Sequence, residues 1–122
     1  MSSDSYKLEG GYNAAKKLLD HDEHPTGIVA FSDYVAIGVM QAVEERGLVV
    51  GEDVSIIGFD DIMFSSIPKI SLTTITPSKQ ELGRQAVEII LAKNKNSNDT
   101  TQIIRILEPQ IIERNTCRKI TV

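Results

Sequence analysis

The chain has 122 residues, of which 41% are hydrophobic and 25% charged, and this size and composition are typical of one globular domain. The formal net charge of −4 argues against direct nucleic-acid binding, because phosphate contacts are made mainly by basic side chains. One cysteine, Cys117, excludes an internal disulfide and fits a reducing cytosol. No run approaches the roughly 18 apolar residues of a membrane span, and the polar start does not resemble a leader peptide. We therefore expect a soluble, intracellular chain that does not bind membranes.

The first third of the chain is predicted to form a helix and then a strand. Apolar residues recur at three- and four-residue spacing over residues 9–20, which is typical of an amphipathic helix. Pro25 and Gly27 end this segment. Residues 28–31 are a short continuous apolar run, the pattern of a strand that helices cover on both faces, as in a parallel sheet.

A second helix and a second strand follow directly. Ser32 or Asp33 can cap the helix at its N-terminus, and Gly47 can end it in a left-handed conformation. The apolar stripe of this helix consists of Ala36, Val39, Met40 and Val43. Residues 54–59 are again apolar, and they predict a second buried strand.

The second half of the chain begins with a third strand and a third helix. Residues 72–75 are rich in β-branched side chains and predict a strand. Pro77 suits the first turn of a helix over residues 79–92. Ser78 and Glu81 have the spacing of a capping box, which strengthens the prediction of a helix here.

Beyond this helix, a loop and further strands are predicted. Residues 93–101 are too polar to pack and are expected to be a surface connection. Residues 103–107 and 110–113 have the composition of strands. Pro109 between them favours a bend or a sheet edge, because proline cannot donate to a β-ladder.

Strands that alternate with helices at short intervals predict an α/β fold, a three-layer sandwich with a mostly parallel sheet. In such a sheet, ligands bind outside the carboxyl ends of the strands. Two polar pairs follow the first two strands, Ser32 with Asp33 and Asp60 with Asp61. Carboxylates at this place can accept hydrogen bonds from sugar hydroxyls, hold a metal or receive a phosphoryl group. The alternative is that these residues cap turns and a helix.

Other polar clusters give little indication of chemistry. His21 and His24 flank two acidic residues, but no cysteine or further histidine reinforces them, so a solvated loop explains the segment. Ser55, Ser65 and Ser66 have no histidine partner by motif, which leaves nucleophilic catalysis without support. We therefore predict no catalytic residue and no metal site.

Five motifs follow one another from residue 25 onward. They are PTGIVAFSD at 25–33, AIG at 36–38, GLVVGEDVSIIGFDD at 47–61, LTTI at 72–75 and LG at 82–83. In order and spacing they resemble the C-terminal signature of the LacI/GalR family of bacterial transcription regulators. With its flanking elements the resemblance spans about residues 9–114, which is most of the chain.

The resemblance implies a periplasmic-binding-protein-like lobe of type I. In this family a helix-turn-helix headpiece precedes two α/β lobes that are joined by three crossing strands. Residues 1–122 would then be a C-terminal subdomain that lacks the headpiece and most of the first lobe. Residues 72–75 would be one crossing strand, and 103–107 or 110–113 would be the returning one. The helix between them, within residues 76–100, would belong to the missing N-terminal lobe.

The resemblance also implies an effector site. Asp60 stands where family members have an acid that hydrogen-bonds the effector, often at a sugar hydroxyl. Ser32 replaces the asparagine more usual before Asp33, which alters one polar contact. Tyr6 lies where an aromatic side chain often packs on the ring face of the effector, with a plain strand-edge tyrosine as the alternative. The expected effector-binding residues are therefore Asp60, Ser32, Tyr6 and Asp33, and Asp61 is expected to be a turn or hinge residue.

Four further residues fall in regions that pair two subunits in the family. They are Ile37, Gln41 and Glu44 on the second helix and Phe64 after the second strand. The alternative is that they belong to the lobe core. Ile37 lies off the apolar stripe of its helix, which favours a contact between subunits. The resemblance thus implies a homodimer.

The implied function is effector sensing by a cytoplasmic transcriptional regulator, a repressor, with no catalysis and no cofactor. A carbohydrate, purine-like molecule or sugar phosphate would bind between the lobes and change operator affinity, and a pentose is the preferred class. DNA contact would come only through the absent headpiece. Two alternatives stay open: a transport-type sugar receptor of the same fold, and a Mg²⁺-dependent phosphoacceptor domain that uses Asp33, Asp60 and Asp61.

Overall fold

A four-stranded sheet forms the centre of the chain, of which the computed structural model describes residues 6–121. The strands, hydrogen-bonded in this order, are β1 Gly27–Val29, β2 Ser55–Phe59, β3 Thr73–Thr76 and β4 Gln110–Ile112. The first three run parallel, and β4 runs antiparallel to β3. The helices are α1 Leu8–Leu19, α2 Asp33–Glu45 and α3 Lys79–Lys95. No helix in the described part of the chain has the length and apolar character needed to cross a bilayer. The predicted α/β class with a mostly parallel sheet is confirmed.

Helix α2 lies at the centre of the hydrophobic core. Its predicted apolar stripe is buried, and it packs against α1 and β2 together with Ile56 and Leu72. The Ser32 hydroxyl accepts a hydrogen bond from the Val35 amide, as an N-cap residue does. Beyond the end of the helix, Gly47 has a φ of +78°. The sequence prediction for this helix and both of its ends is therefore confirmed.

Strand β1 is more exposed than the sequence predicts. It ends at Val29, whose residue surface is 79% exposed, and Phe31 is 72% exposed. Helix α2, with α1 packed on it, covers the face of the sheet that carries Ile56. In the register of the sheet Val29 lies on the opposite face. The expectation of burial on both faces is wrong here, because the helical layer formed by α1 and α2 covers only the other face.

Helix α3 begins without the predicted capping box. Ser78 has the N-cap position with a φ of +28°, but its side chain makes no capping hydrogen bond. Glu81 instead accepts hydrogen bonds from Arg84 and Gln85 within the helix. Pro77 precedes the N-cap, so it does not occupy the first turn. The capping-box prediction is wrong because the Glu81 carboxylate is engaged by partners further along the helix.

The end of α3 and the return strand also differ from the prediction. The helix runs to Lys95 and so includes the first residues of the predicted loop at 93–101. Residues 103–107 form no strand, and all but the last of them are exposed. Gln110–Ile112 pairs with β3 directly after Pro109, which agrees with a break at that proline. Strand-like composition at 103–107 is not sufficient for a strand, because a strand also needs a partner edge to bond.

The Glu81 carboxylate gives α3 a measurable response to acid. A hydrogen bond from Arg84 lowers the pKa of Glu81 from 4.5 to about 2. Because this pKa is lower in the helix than in the unfolded chain, the stabilising contribution is complete above the ordinary pKa and is lost as the pH falls through about 2. An NMR pH titration of the Glu81 carboxyl tests this. We expect Arg84→Gln to raise the midpoint towards the ordinary value and Lys95→Gln to leave it unchanged; a midpoint near 4.5 in the unchanged chain contradicts the prediction.

Candidate functional site

A mostly apolar cavity of about 460 Å³ opens at the carboxyl ends of the first three strands. The residues that line it are Val29, Ala30, Phe31, Gly58, Phe59, Asp60 and Ile75. Asp60 supplies the charged group of this wall. Ligand sites combine largely apolar walls with a few polar groups, and ligands of parallel sheets bind at the carboxyl ends of the strands. The cavity is therefore the candidate binding site.

Aromatic rings border the cavity. The rings of Tyr6 and Phe31 have centroids 5.3 Å apart and planes inclined by 56°. Phe59, at the end of β2, also lies partly in contact with solvent. Sequence reasoning included Tyr6 but missed Phe31 and Phe59, because their apolar neighbours suggested buried strands. Their positions immediately before Ser32 and Asp60 are the signal that identifies them, since strand ends face the ligand site.

The turn that carries Asp60 has an unusual backbone. Asp60 has a φ of +107° and Asp61 a φ of +48°. Such conformations are costly for residues with a Cβ and persist where the surrounding structure holds them. Here the Asp60 N–H donates to the Ile75 carbonyl at 2.8 Å, and the Asp61 N–H donates to the Thr74 hydroxyl at 3.4 Å. The turn is thus bonded to β3 at two consecutive positions, which restricts the direction of the Asp60 side chain.

The carboxylate of Asp61 forms an ion pair with Arg114. The distance from Arg114 Nη2 to Asp61 Oδ1 is 2.8 Å, and both side chains are mostly shielded from solvent. The other terminal nitrogen, Nη1, donates to the Leu72 carbonyl at 2.8 Å. Lys79 Nζ lies 3.5 Å from the Asp61 carbonyl oxygen. The turn position expected for Asp61 from the sequence agrees with this arrangement.

Asp33 is fully buried next to this turn. Its Oδ2 accepts hydrogen bonds from the Ile62 amide at 2.9 Å and the Ser65 hydroxyl at 2.5 Å. Its Oδ1 accepts one from the Thr74 hydroxyl at 2.5 Å. A Cβ on Gly58 would lie 2.2 Å from Oδ1, so only glycine allows this approach. The carboxylate therefore joins three separate segments of the chain inside the lobe.

The four residues predicted to bind an effector have different surroundings. Asp60 lines the cavity, and Tyr6 borders it through its ring contact with Phe31. Ser32 is buried and caps α2. Asp33 is buried and bonded to internal donors. The structure thus brings two of the four to the cavity and places the other two behind it.

Comparison with known proteins relates this geometry to a family. Residues 1–117 match the family model of the periplasmic binding protein-like domain. The chain is 40% identical over 118 residues to the HTH-type transcriptional repressor PurR of Haemophilus influenzae strain PittEE, which covers 95% of the chain and 35% of the repressor. It is also 37% identical over 109 residues to the ribose operon repressor of another Haemophilus influenzae strain. This match covers 89% of the chain and 32% of the repressor.

Structural similarity points to the same group. The crystal structure of the lac repressor dimer bound to operator and an anti-inducer, ONPF, is similar to this chain, with a TM-score of 0.79 and 29% sequence identity. The match covers 91% of this chain and 38% of the repressor chain. The chain belongs to the LacI/GalR family of bacterial transcriptional regulators. It spans about a third of the length of the curated relatives it matches. The resemblance seen in the sequence motifs is confirmed.

In the described part of this LacI/GalR-type chain, the carboxylates form no metal cluster. Within residues 6–121, no group of three or more His, Cys, Asp and Glu side chains is arranged to hold a metal ion. Asp61 is paired with Arg114, and Asp33 accepts hydrogen bonds from internal donors. The Mg²⁺-dependent alternative required these acids, with Asp60, to converge on one ion, so the arrangement does not support it.

The residues predicted to pair two LacI/GalR-type subunits are Ile37, Gln41, Glu44 and Phe64. On α2 the first is half-buried and the next two are exposed. Phe64 is 41% exposed in the short 3₁₀ helix Met63–Ser66, which Asp33 ties to the start of α2 through Ser65. Tyr34 and Met63, which the sequence reasoning missed, are also exposed on these two segments. We call the surface formed by these six residues the pairing surface.

Proposed function

We propose that this chain is the effector-sensing lobe of a LacI/GalR-type transcriptional repressor, and that the effector is a small sugar of the pentose class. The observation that carries the proposal is Asp60 in the wall of an otherwise apolar cavity at the strand ends. A sugar ring presents apolar faces and a rim of hydroxyls, which matches aromatic walls with one carboxylate. A relative that is 37% identical is a ribose operon repressor, which supports the pentose class.

Each predicted residue has a separate task in this site. The Asp60 carboxylate accepts hydrogen bonds from effector hydroxyls, and Tyr6 with Phe31 packs against the ring face. The Ser32 hydroxyl caps α2 by accepting a hydrogen bond from the Val35 amide, and it thereby fixes the start of that helix directly after the cavity-lining Phe31. Asp33 acts from behind the cavity and holds the strand ends in place.

Effector binding regulates by shifting a population of lobe arrangements. A ligand held between two lobes favours the arrangement to which it binds more tightly, and the shift in operator affinity is limited by that difference. The lobe itself senses and does not catalyse, and it needs no cofactor. Operator contact comes through a helix-turn-helix headpiece elsewhere in a cytoplasmic regulator.

Residues 76–100 belong to a second, N-terminal lobe in this proposal. The support is that no residue of α3 is buried. Leu82, Val87, Ile90 and Leu91 are all more than half exposed. Full burial of such a side chain contributes about 1.5–3 kcal/mol, and since a little more than half of each is exposed, an apolar partner would recover roughly half of that per residue.

The pairing surface joins two copies of the regulator. It presents exposed aromatic and apolar side chains, led by Tyr34, Met63 and Phe64, beside the polar residues Gln41 and Glu44. Interfaces combine such apolar centres with polar rims. The similar lac repressor structure is described as a dimer, which supports pairing in a related regulator.

Titration of pentoses into the intact regulator that contains this chain tests the effector site. D-ribose, D-xylose and L-arabinose are added while calorimetry measures binding and operator DNA affinity is followed. We expect one of them to bind, and Asp60→Asn to weaken binding about 10- to 100-fold, since hydrogen bonds to a charged acceptor contribute about 1.5–3 kcal/mol.

The matched control is Asp20→Asn, which changes an exposed aspartate that pairs with Arg46. This variant is expected to bind the pentose as the unchanged protein does. No response to any of the three sugars would discard the pentose class. Unchanged affinity in Asp60→Asn would remove Asp60 from the site.

A further inference from the structure

Arg114 holds the Asp60–Asp61 turn from the far end of the sequence. Its Nη2 lies 2.8 Å from Asp61 Oδ1, and its Nη1 lies 2.8 Å from the Leu72 carbonyl oxygen. Its backbone N–H donates to the Thr73 hydroxyl at 2.9 Å. Arg114 follows β4 by two positions. It therefore bridges the turn after β2, the start of β3 and the exit from β4.

The ion pair is better shielded than the surface pair of the same kind. Arg46 and Asp20 also lie 2.8 Å apart, but their side chains are 40% and 78% exposed, against 17% for Arg114 and 30% for Asp61. Shielding from water reduces screening and strengthens the attraction. The planar guanidinium also makes two directed hydrogen bonds at once, which a lysine ammonium cannot reproduce in the same geometry.

We propose that Arg114 is the positioning residue of the effector site. Arg114 acts through Asp61, because its guanidinium pairs with that carboxylate and anchors it beside β3. This anchor keeps Asp60 and Asp61 at positive φ, and the resulting turn directs the Asp60 carboxylate into the cavity. Arg114 does not line the cavity. The inference rests on the proposed function in one respect, namely that Asp60 binds effector.

The position of Arg114 also couples the site to the strands beside it. Because Arg114 follows β4, a displacement of β4 along β3 moves the guanidinium relative to the turn that carries Asp60. These antiparallel strands are the pair proposed to cross between lobes. A change in lobe arrangement would thus reach Asp60 through one ion pair, and effector binding at Asp60 would favour one strand position in return.

The first arm of the test needs no effector. In the 122-residue chain, amide hydrogen exchange and three-bond HN–Hα couplings are measured by NMR for Asp60 and Asp61. We expect Arg114→Met to change both couplings and to speed exchange of the Asp61 amide at least tenfold. Arg46→Met, the matched control, should change neither. Asp61→Asn, which keeps the shape of the side chain, should have a smaller effect of the same kind.

The second arm measures D-ribose affinity in the intact regulator as a double-mutant cycle. Arg114→Met is expected to weaken binding about tenfold, and Arg114→Lys should recover part of the loss. If Arg114 acts only through Asp60, then adding Arg114→Met to Asp60→Asn should weaken binding no further. A purely structural role would instead lower affinity in both backgrounds.

The two arms separate this inference from the proposed function. If no pentose binds, the proposed effector class fails, and the first arm still decides whether Arg114 holds the turn. Unchanged couplings and exchange at Asp60 and Asp61 in Arg114→Met overturn the inference. So does an equal loss of affinity with and without the Asp60 carboxylate.

Discussion

Replacing Asp33 with alanine is expected to lower the free energy of unfolding of the chain by about 3–5 kcal/mol. The carboxylate is fully buried and accepts hydrogen bonds from the Ile62 amide and from the hydroxyls of Ser65 and Thr74. Alanine would leave these donors without an acceptor in a site that water does not reach. Urea denaturation followed by circular dichroism measures the change.

Asp33→Asn is the matched variant for this prediction. Its amide oxygen can still accept from Ile62 and Ser65, and its NH₂ group can donate to the Thr74 hydroxyl, which is able to accept. We therefore expect a clearly smaller loss than for alanine. Ser65→Ala should cost less again, because it removes one donor and leaves the others paired. Equal stability of the alanine variant and the unchanged chain would show that the carboxylate contributes nothing to the fold.

Helices and strands that are determined by residues close together in the sequence could be predicted from it. Helix α2 combines an apolar stripe with a serine cap and a C-terminal glycine, and β2 is a short apolar run, so neighbouring residues contain the necessary information. The exposure of Val29 and Phe31 could not be predicted in this way. A run of apolar residues records a preference for burial, whereas actual burial depends on which elements pack on each face.

In the candidate site, too, local features could be predicted from the sequence and long-range contacts could not. Asp60 could be predicted because it directly follows a strand, and strand ends face the ligand site in a parallel sheet. The contact between Asp61 and Arg114 joins residues 53 positions apart, and that between Asp33 and Thr74 joins residues 41 apart. Spacing rules apply to residues a few positions apart within one helix or strand. They cannot predict contacts between residues so far apart in the sequence, which only the folded structure shows.

Thr74 connects the two buried parts of the site. Its hydroxyl donates to Asp33 and accepts from the Asp61 amide, and the Asp61 carboxylate pairs with Arg114. A continuous polar chain therefore runs behind the cavity from the start of α2 to the exit from β4. Through Ser65 the same Asp33 carboxylate also reaches the segment of the pairing surface that carries an exposed phenylalanine. One buried carboxylate thus links the strand beside the cavity to the exposed 3₁₀ segment.

Replacing Gly38 with alanine is expected to destabilise the chain by about 3 kcal/mol, the upper end of the range for overpacking. Helices α1 and α2 approach so closely at this point that a Cβ on residue 38 would lie 1.9 Å from the Leu8 carbonyl oxygen and 2.8 Å from the Tyr12 nitrogen. Both neighbours are backbone atoms, so no side-chain rotation relieves the contact, and the helices must separate. Urea denaturation of the variant measures the loss.

Gly83→Ala supplies the opposite result in the same chain. Apart from its chain neighbours and the backbone of its own helix, no described atom lies within 4 Å of a Cβ at residue 83, which is in the exposed helix α3. The substitution therefore removes backbone entropy from the unfolded state without a contact penalty, and it should stabilise that helix by about 0.5–1 kcal/mol. Because alanine raises helix propensity at both positions, the difference in stability between the two variants measures the cost of the packing contact. If Gly38→Ala were as stable as Gly83→Ala, the close approach of α1 and α2 would not exist in solution.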